Sequence, residues 1–297
     1  MSEVLSGQLD TDSKPQKRES LWTKAVVKFA KDKIGMVSFI VVASYLLIAI
    51  LVWLGLIAQD WDVLKASGQM GPTAEYWFGT TINGQDIFQR AIYSTKTAFE
   101  VGLMVAIFAT MFGAIAGCVT GYFAGTIFDE LVLWVMNSID CIPYFLTVAA
   151  IGVALEGNPY SMHIAMMLAF WTGTARVVRG EVIKLKNMEF VEAAHSLGVP
   201  VHRIIFKHLM PNTTHILLVD MTILFITAIK SEVILSFLGL GIKDSISWGL
   251  MIAEASGEVT AGHFSNFFAA SGMLFILVLA FNMFSDSLQD ALDPRKV

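Results

Sequence analysis

The sequence predicts an all-α integral membrane protein with six transmembrane helices and both termini in the cytoplasm. Three observations carry the prediction. Of 297 residues, 55% are hydrophobic and 15% charged, with a mean hydropathy of +0.64. Soluble domains carry nearer ~25% charged residues, so the surplus apolar surface needs lipid to cover it. Six apolar runs approach or exceed the ~20 residues that a helix needs to cross hydrocarbon. Lys and Arg, finally, gather on alternate connections, which sets direction.

Taken in chain order, residues 1–33 form a polar tail. Within it Leu21, Trp22, Ala25, Val26 and Phe29 recur at helical spacing among Lys24, Lys28 and Lys31, as in a helix lying on the inner membrane face. The first dozen residues are polar and predict disorder. No cleavable signal peptide is expected, because the tail is too polar and the first apolar run long enough to stay as an anchor. Predicted spans are Ile34 to Ile57, Phe99 to Tyr122, Leu131 to Leu155, Tyr160 to Val178, Pro211 to Leu238 and Phe267 to Phe284. The second carries Gly113, Gly117 and Gly121 on nearly one face, where a helix of this chain or of another subunit can approach closely. Between the first two spans, residues 58–98 form the longest outer connection, with a short helix expected from Gln85 to Thr95. A further outer segment, Gly239 to Asn266, holds Trp248 and a helix through Met251 to Ala255.

With the N-terminus inside, fifteen Lys and Arg fall on inner segments and four on outer ones. That asymmetry decides the topology. The net charge of -5 and the lack of a basic stripe argue against a nucleic-acid partner. Cys118 and Cys141 sit inside apolar runs and read as small packing residues.

The most informative stretch is the inner connection Val178 to Asn212. Asn187 can cap a helix, Glu189 suits its first turn, and Phe190, Ala194 and Leu197 form an apolar stripe over about 11 residues, or roughly 16 Å. Gly198 suits a left-handed stop, Pro200 the first turn of a second helix, and Pro211 the opening of the fifth span. A short helix with small residues and a rigid turn can transmit rigid-body movement.

Glu192-Ala193-Ala194-x-x-x-Gly198, followed by Pro211, resembles the EAA loop of ABC importer permeases. The runs Arg176 to Glu181, Glu189 to Ala194 and Arg203 to Asn212 resemble the dipeptide/oligopeptide permease family. So do Phe78-Gly79-Thr80, Ser236 to Gly241, Trp248-Gly249, Phe281-Asn282 and Asp290 to Arg295, whose ending points to the C-type subunit. The resemblance covers nearly the whole chain after residue 30. It implies a type I ABC importer permease fold in the bacterial inner membrane, with a core over 99–297 and a coupling loop over 179–210. It also implies a second homologous permease as heterodimer partner, two ATP-binding subunits and an external solute-binding protein. On this analogy Glu192, Ala193, Ala194, Leu197, Gly198 and Arg203 couple to an ATPase. This chain is then no enzyme and binds no cofactor, ATP and Mg belonging to the ATPase subunits. Departures from the family pattern include His208 and Met210, Gln85 for a usual Arg, and Asn137 for a frequent Asp, with Asp140 as an added charge. They bear on the substrate, which could be a peptide or a nickel chelate, glutathione or an oligosaccharide.

Charges within spans are costly, about 2.5–3.5 kcal/mol at a helix centre. Asp140 and Asp220 are candidates for a pathway or gate, or for polar contacts with the partner permease or with water. Lys230 and Glu232 read as further pathway candidates or as a snorkelling pair at the outer interface. Against an enzyme stand scattered histidines and the absence of HExxH, GxSxG and a phosphate loop. A secondary transporter is the stronger rival, although no inverted repeat is evident.

Overall fold

The computed structural model describes residues 21–155, 157–242 and 245–292. These are helical, joined by turns and a long connection with two isolated β-bridges, Leu64 to Gln85 and Thr80 to Asp86. The predicted polar stretch before Leu21, the last five residues and Lys243 lie outside the described residues.

The helices are α1 (Leu21–Lys31), α2 (Lys33–Trp53), α3 (Ile87–Tyr122), α4 (Ile127–Asp140), α5 (Tyr144–Ala154) and α6 (Ser161–Leu185). A hairpin follows: α7 (Glu189–Ser196), α8 (Val201–Arg203), a π-helical stretch Ile204–Leu209 and α9 (Met210–Asn212). The chain closes with α10 (Thr214–Phe237), α11 (Trp248–Thr260) and α12 (Ser265–Leu292). Side chains of Asp32, Asp86, Thr126 and Ser247 accept hydrogen bonds from the first amides of α2, α3, α4 and α11. Each therefore supplies a cap for donors that have no partner inside the helix.

Among the described residues three helices, α2, α3 and α12, are long and apolar enough to cross a membrane, or four if the bent pair α4–α5 is one span. Helix α3 differs from the sequence expectation. The short helix read from Gln85 to Thr95 and the span beginning at Phe99 are one helix of 36 residues, started by Asp86. It is about 54 Å long at 1.5 Å per residue. The predicted third span is not straight: it breaks between Asp140 and Tyr144 with a bend of 91°. Pro143 lacks the amide that would continue the ladder of α4, and so starts a new helix instead.

Helix α1 forms over the stretch where an interfacial helix is expected, and the expected apolar positions divide between buried and exposed. Ala25 is buried, Phe29 packs edge-on to Phe39 and Phe284, and Val26 is exposed. Lys28 donates through Nζ to the carbonyl of Asp290 near the end of α12 (2.7 Å). The basic side chain thus meets a helix C-terminus, where the backbone dipole favours a cation.

The three glycines of α3 face α6 of the same chain, which settles the partner left open by the sequence. A Cβ would come within 2.6 Å of Thr174 Cβ at Gly113, 2.5 Å of the Ala175 carbonyl at Gly117 and 2.8 Å of Val182 Cβ at Gly121. Only hydrogen fits there, so α3 and α6 lie backbone to backbone over two turns. Gly117→Val is expected to lower stability by about 2–3 kcal/mol, because the added methyls overpack against backbone that cannot yield. Thermal unfolding in detergent micelles measures this, and an unchanged midpoint would refute the close approach.

Candidate functional site

The hairpin from α7 to α9 closes one end of the bundle. Val191 and Ala194 of α7 are buried with Ile204, Ile205 and Leu209 of the returning limb, against Cys118, Tyr122, Val178 and Val182. The buried stripe is therefore Val191–Ala194, and the predicted stripe is corrected in part. Ala194 faces inward, whereas Phe190 is exposed and Leu197 is 83% exposed. A three-residue step joins Val191 to Ala194, and Leu197 follows α7 as its C-cap, where the chain is already turning out. Helix α7 has 8 residues, fewer than expected. Asn187 does not cap it. The side-chain Nδ2 of Asn187 donates to the carbonyl of Ile183, one turn back in α6, and Met188 stands at the N-cap without a side-chain bond.

The turn after α7 behaves as the sequence demands. Gly198 has φ +72°, and its amide donates to the His195 carbonyl (2.9 Å) while the Val199 amide donates to that of Ala194 (3.1 Å). This pair of bonds is the Schellman closure, which favours glycine in the left-handed position. Glu192, Ala193 and Arg203 are exposed, and Met188, Phe190, Leu197, Val201 and Phe206 add apolar surface on the same hairpin.

The hairpin is tied to the bundle by residues that sequence reading did not single out. Tyr122, the last residue of α3, shares a hydrogen bond between its hydroxyl and His195 Nε2 (2.9 Å). Lys186 Nζ donates to the Tyr122 carbonyl (2.8 Å) and lies 5.6 Å from its ring centre. Arg179 of α6 donates twice to Asp129 of α4, Nε to Oδ1 at 2.8 Å and Nη2 to Oδ2 at 2.7 Å. Asp129 Oδ2 also accepts from the Gly125 amide (3.0 Å). A bidentate fork of this kind fixes orientation as well as distance. Short polar contacts thus join α7 to α3, and α6 to α4.

At its other end α3 is fastened to α11. Arg90 is buried and paired with Glu254, and it also donates to Gln85. Trp248 Nε1 donates to the Ala91 carbonyl (3.0 Å), and Glu258 Oε1 accepts from the Ile82 amide (3.1 Å). One continuous helix thus links the hairpin to the opposite end of the bundle.

The four charged candidates do not converge. Asp140 accepts from Thr172 Oγ1 (2.8 Å) and pairs with Arg176. Asp220 accepts from Thr174 Oγ1, two residues along α6 and so on a different side of that helix. Lys230 is exposed, whereas Glu232 is 1% exposed and held by Ser236 Oγ. The expected Lys230–Glu232 pair is not formed, because positions two apart on a helix point in different directions.

Among the described residues, three apolar helices long enough for a bilayer and a broken helix define a multi-pass membrane protein with an exposed hairpin at one end. Comparison with known proteins then gives the family. Residues 109–297 match the family described as binding-protein-dependent transport system inner membrane component, and the chain belongs to it. It is similar to the oligopeptide transport system permease protein OppC of Bacillus subtilis (strain 168), with 33% identity covering 96% of this chain and 93% of the relative. The dipeptide transport system permease protein DppC of the same strain is 33% identical, covering 98% and 92%. The OppC protein of Haemophilus influenzae is 31% identical, covering 93% and 89%.

Proposed function

We infer that this chain is the C-type permease of an ATP-driven peptide importer in the bacterial inner membrane. It forms half of the translocation pathway with a second, homologous permease. Two ATP-binding subunits, which hold ATP and Mg, lie beneath the pair, and a solute-binding protein delivers peptide from outside. The relatives' names as dipeptide and oligopeptide permeases support the substrate class. In this reading α2, α3, α4–α5, α6, α10 and α12 are the six crossings, with both termini cytoplasmic. Residues 1–33 are the inner tail, 34–98 the first crossing and outer connection, and 99–297 the core with its coupling loop over 179–210.

One observation carries the coupling role. The hairpin turns Val191 and Ala194 inward onto Tyr122 and Val182 while presenting Glu192, Ala193, Leu197 and Arg203 to whatever lies beneath it. An element packed on one side and open on the other is built to be pushed. Glu192, Ala193, Ala194, Leu197, Gly198 and Arg203 therefore form the docking element for an ATPase. Asp140 belongs to the pathway, Asp220 tethers α10 to α6, Glu232 accepts from Ser236 within α10, and Lys230 reaches the outer interface.

Proteoliposomes holding the complete complex test the reading. Dialanine is expected to accumulate only with ATP on the ATPase side and binding protein on the other. Uptake by this chain alone, driven by an ion gradient and indifferent to ATP, would overturn it.

A further inference from the structure

Helix α1 is held at the hairpin end of the bundle, and contacts within the bundle fix its level. Phe225 of α10 stacks on Phe281 of α12 with ring centres 4.2 Å apart, and Thr222 shares a hydrogen bond with Ser285 (2.6 Å). Pairs that step down one helix and up the other mark antiparallel neighbours. The end of α12 therefore lies toward the start of α10, which the hairpin feeds. Asp290 stands five residues beyond Ser285, about 7.5 Å nearer that end. Lys28 Nζ holds the Asp290 carbonyl, and at Gly35, near the start of α2, a Cβ would come within 2.8 Å of Ser287 Cβ. Helix α1 thus sits beside the same ends of two helices that are apolar enough to cross a bilayer.

The rest of α1 carries two chemistries side by side. Lys24, Lys28 and Lys31 follow one another at steps of four and three, which puts three ammonium groups on one ridge about 10.5 Å long. Lys24 and Lys31 are exposed and form no ion pair among the described residues. Asp32, the acid next to the ridge, is engaged elsewhere: its Oδ1 accepts from the Ile34 amide of α2 at 3.0 Å. Alongside the ridge Val26, Val27 and Ala30 are exposed. A row of lysines alone would suit an acidic protein surface. A row of lysines flanking an apolar strip, at the ends of membrane helices, suits phosphate headgroups with their acyl chains.

We propose that α1 is a docking site for anionic phospholipid of the inner leaflet. Lys24, Lys28 and Lys31 take the headgroup phosphates, and Val26, Val27 and Ala30 lie against the acyl chains. Because Lys28 also grips the end of α12, bound lipid holds that end at the leaflet surface. The proposal rests on the reading above that both termini are cytoplasmic.

A local reporter tests it. Ala30→Cys, in a Cys141→Ser chain assembled with partner subunits stripped of reactive thiols, is labelled with bimane; Cys118 is buried and stays. The complete complex is placed in bilayers of phosphatidylcholine and phosphatidylglycerol, with bromine on the chains of one lipid or the other at equal mole fraction. Brominated phosphatidylglycerol should quench several-fold more strongly than brominated phosphatidylcholine. Each basic side chain near an anionic surface strengthens attachment about fivefold, so Lys24→Gln with Lys31→Gln should bring the two lipids close to parity. Lys24→Arg with Lys31→Arg should keep most of the preference. Replacing chloride by inorganic phosphate at equal ionic strength should leave it unchanged, and its loss there would mean a site for soluble anions and overturn the proposal. Equal quenching by both lipids in the wild-type background, or quenching by neither because protein covers α1, would also overturn it and leave the permease reading standing. Reaction of Ala30→Cys with an impermeant maleimide added outside spheroplasts would instead sink the orientation on which the proposal rests.

Discussion

Replacing Glu192 by Lys and Gly198 by Val together is expected to abolish ATP-driven uptake while leaving the chain folded in the membrane. Gly198 sits at φ +72° with no atom within 4 Å of where a Cβ would stand, so valine meets no clash. Its cost is conformational: a β-branched residue held in the left-handed region is strained by about 1–3 kcal/mol. The strain is relieved by opening the turn, which breaks the amide bonds to His195 and Ala194 and re-aims α7 against the returning limb. Glu192 is exposed, and its carboxylate makes no ion pair among the described residues. Reversing it therefore leaves the internal packing of Val191 and Ala194 untouched and changes only what a partner meets. A like-charge contact at an interface costs several kcal/mol, and each ~1.4 kcal/mol is tenfold in an equilibrium. Uptake should fall by well over about tenfold. Co-purification of the ATP-binding subunits should weaken in parallel, while the amount of chain in the membrane changes little. Wild-type assembly together with wild-type uptake would show that force does not enter through this hairpin.

Local signals were legible in the sequence, and signals from distant parts of the chain were not. Gly198 and its closing turn followed from residue chemistry, because only glycine enters that backbone region at no cost. Asp86 as the start of α3 was hidden by the apolar threshold used to begin a span at Phe99. The polar residues Arg90, Ser94 and Thr97 are buried by α3's neighbours rather than wetted, and hydropathy cannot see that. Pro143 was visible, yet a run of uniform hydropathy gives no measure of a 91° bend. The stripe on α7 was misread because Phe190 and Leu197 are the larger side chains. Burial instead follows Val191 and Ala194, which face Tyr122 and Val182 from other helices. Tyr122 and Asp129 gave no motif because their partners lie 73 and 50 residues away. The Lys230–Glu232 pair failed on helical geometry that two-residue spacing already contains.

Asp129→Ala is expected to be the most destabilising single change at the hairpin end of the bundle. The carboxylate is 2% exposed and takes both prongs of the Arg179 fork as well as the Gly125 amide. Removing it leaves a largely buried guanidinium with no counter-charge and an amide with no acceptor. Breaking one partner of a buried pair costs about 3–5 kcal/mol, whereas replacing both partners by apolar groups can be nearly neutral. Arg179 retains some access to solvent, so the lower part of that range applies. Asp129→Asn should cost less, since its amide oxygen can still accept from Arg179. A double-mutant cycle separates the pair from the general effect of truncation. Thermal or denaturant unfolding of Asp129→Ala, Arg179→Met and the double variant in the same micelle supplies the four corners. The double variant should be more stable than Asp129→Ala alone, because it no longer buries an unpaired charge. Simple additivity of the two single losses would mean that the fork contributes nothing to holding α4 on α6. In that case the route from α7 into the membrane would have to run through Tyr122 and α3 without it.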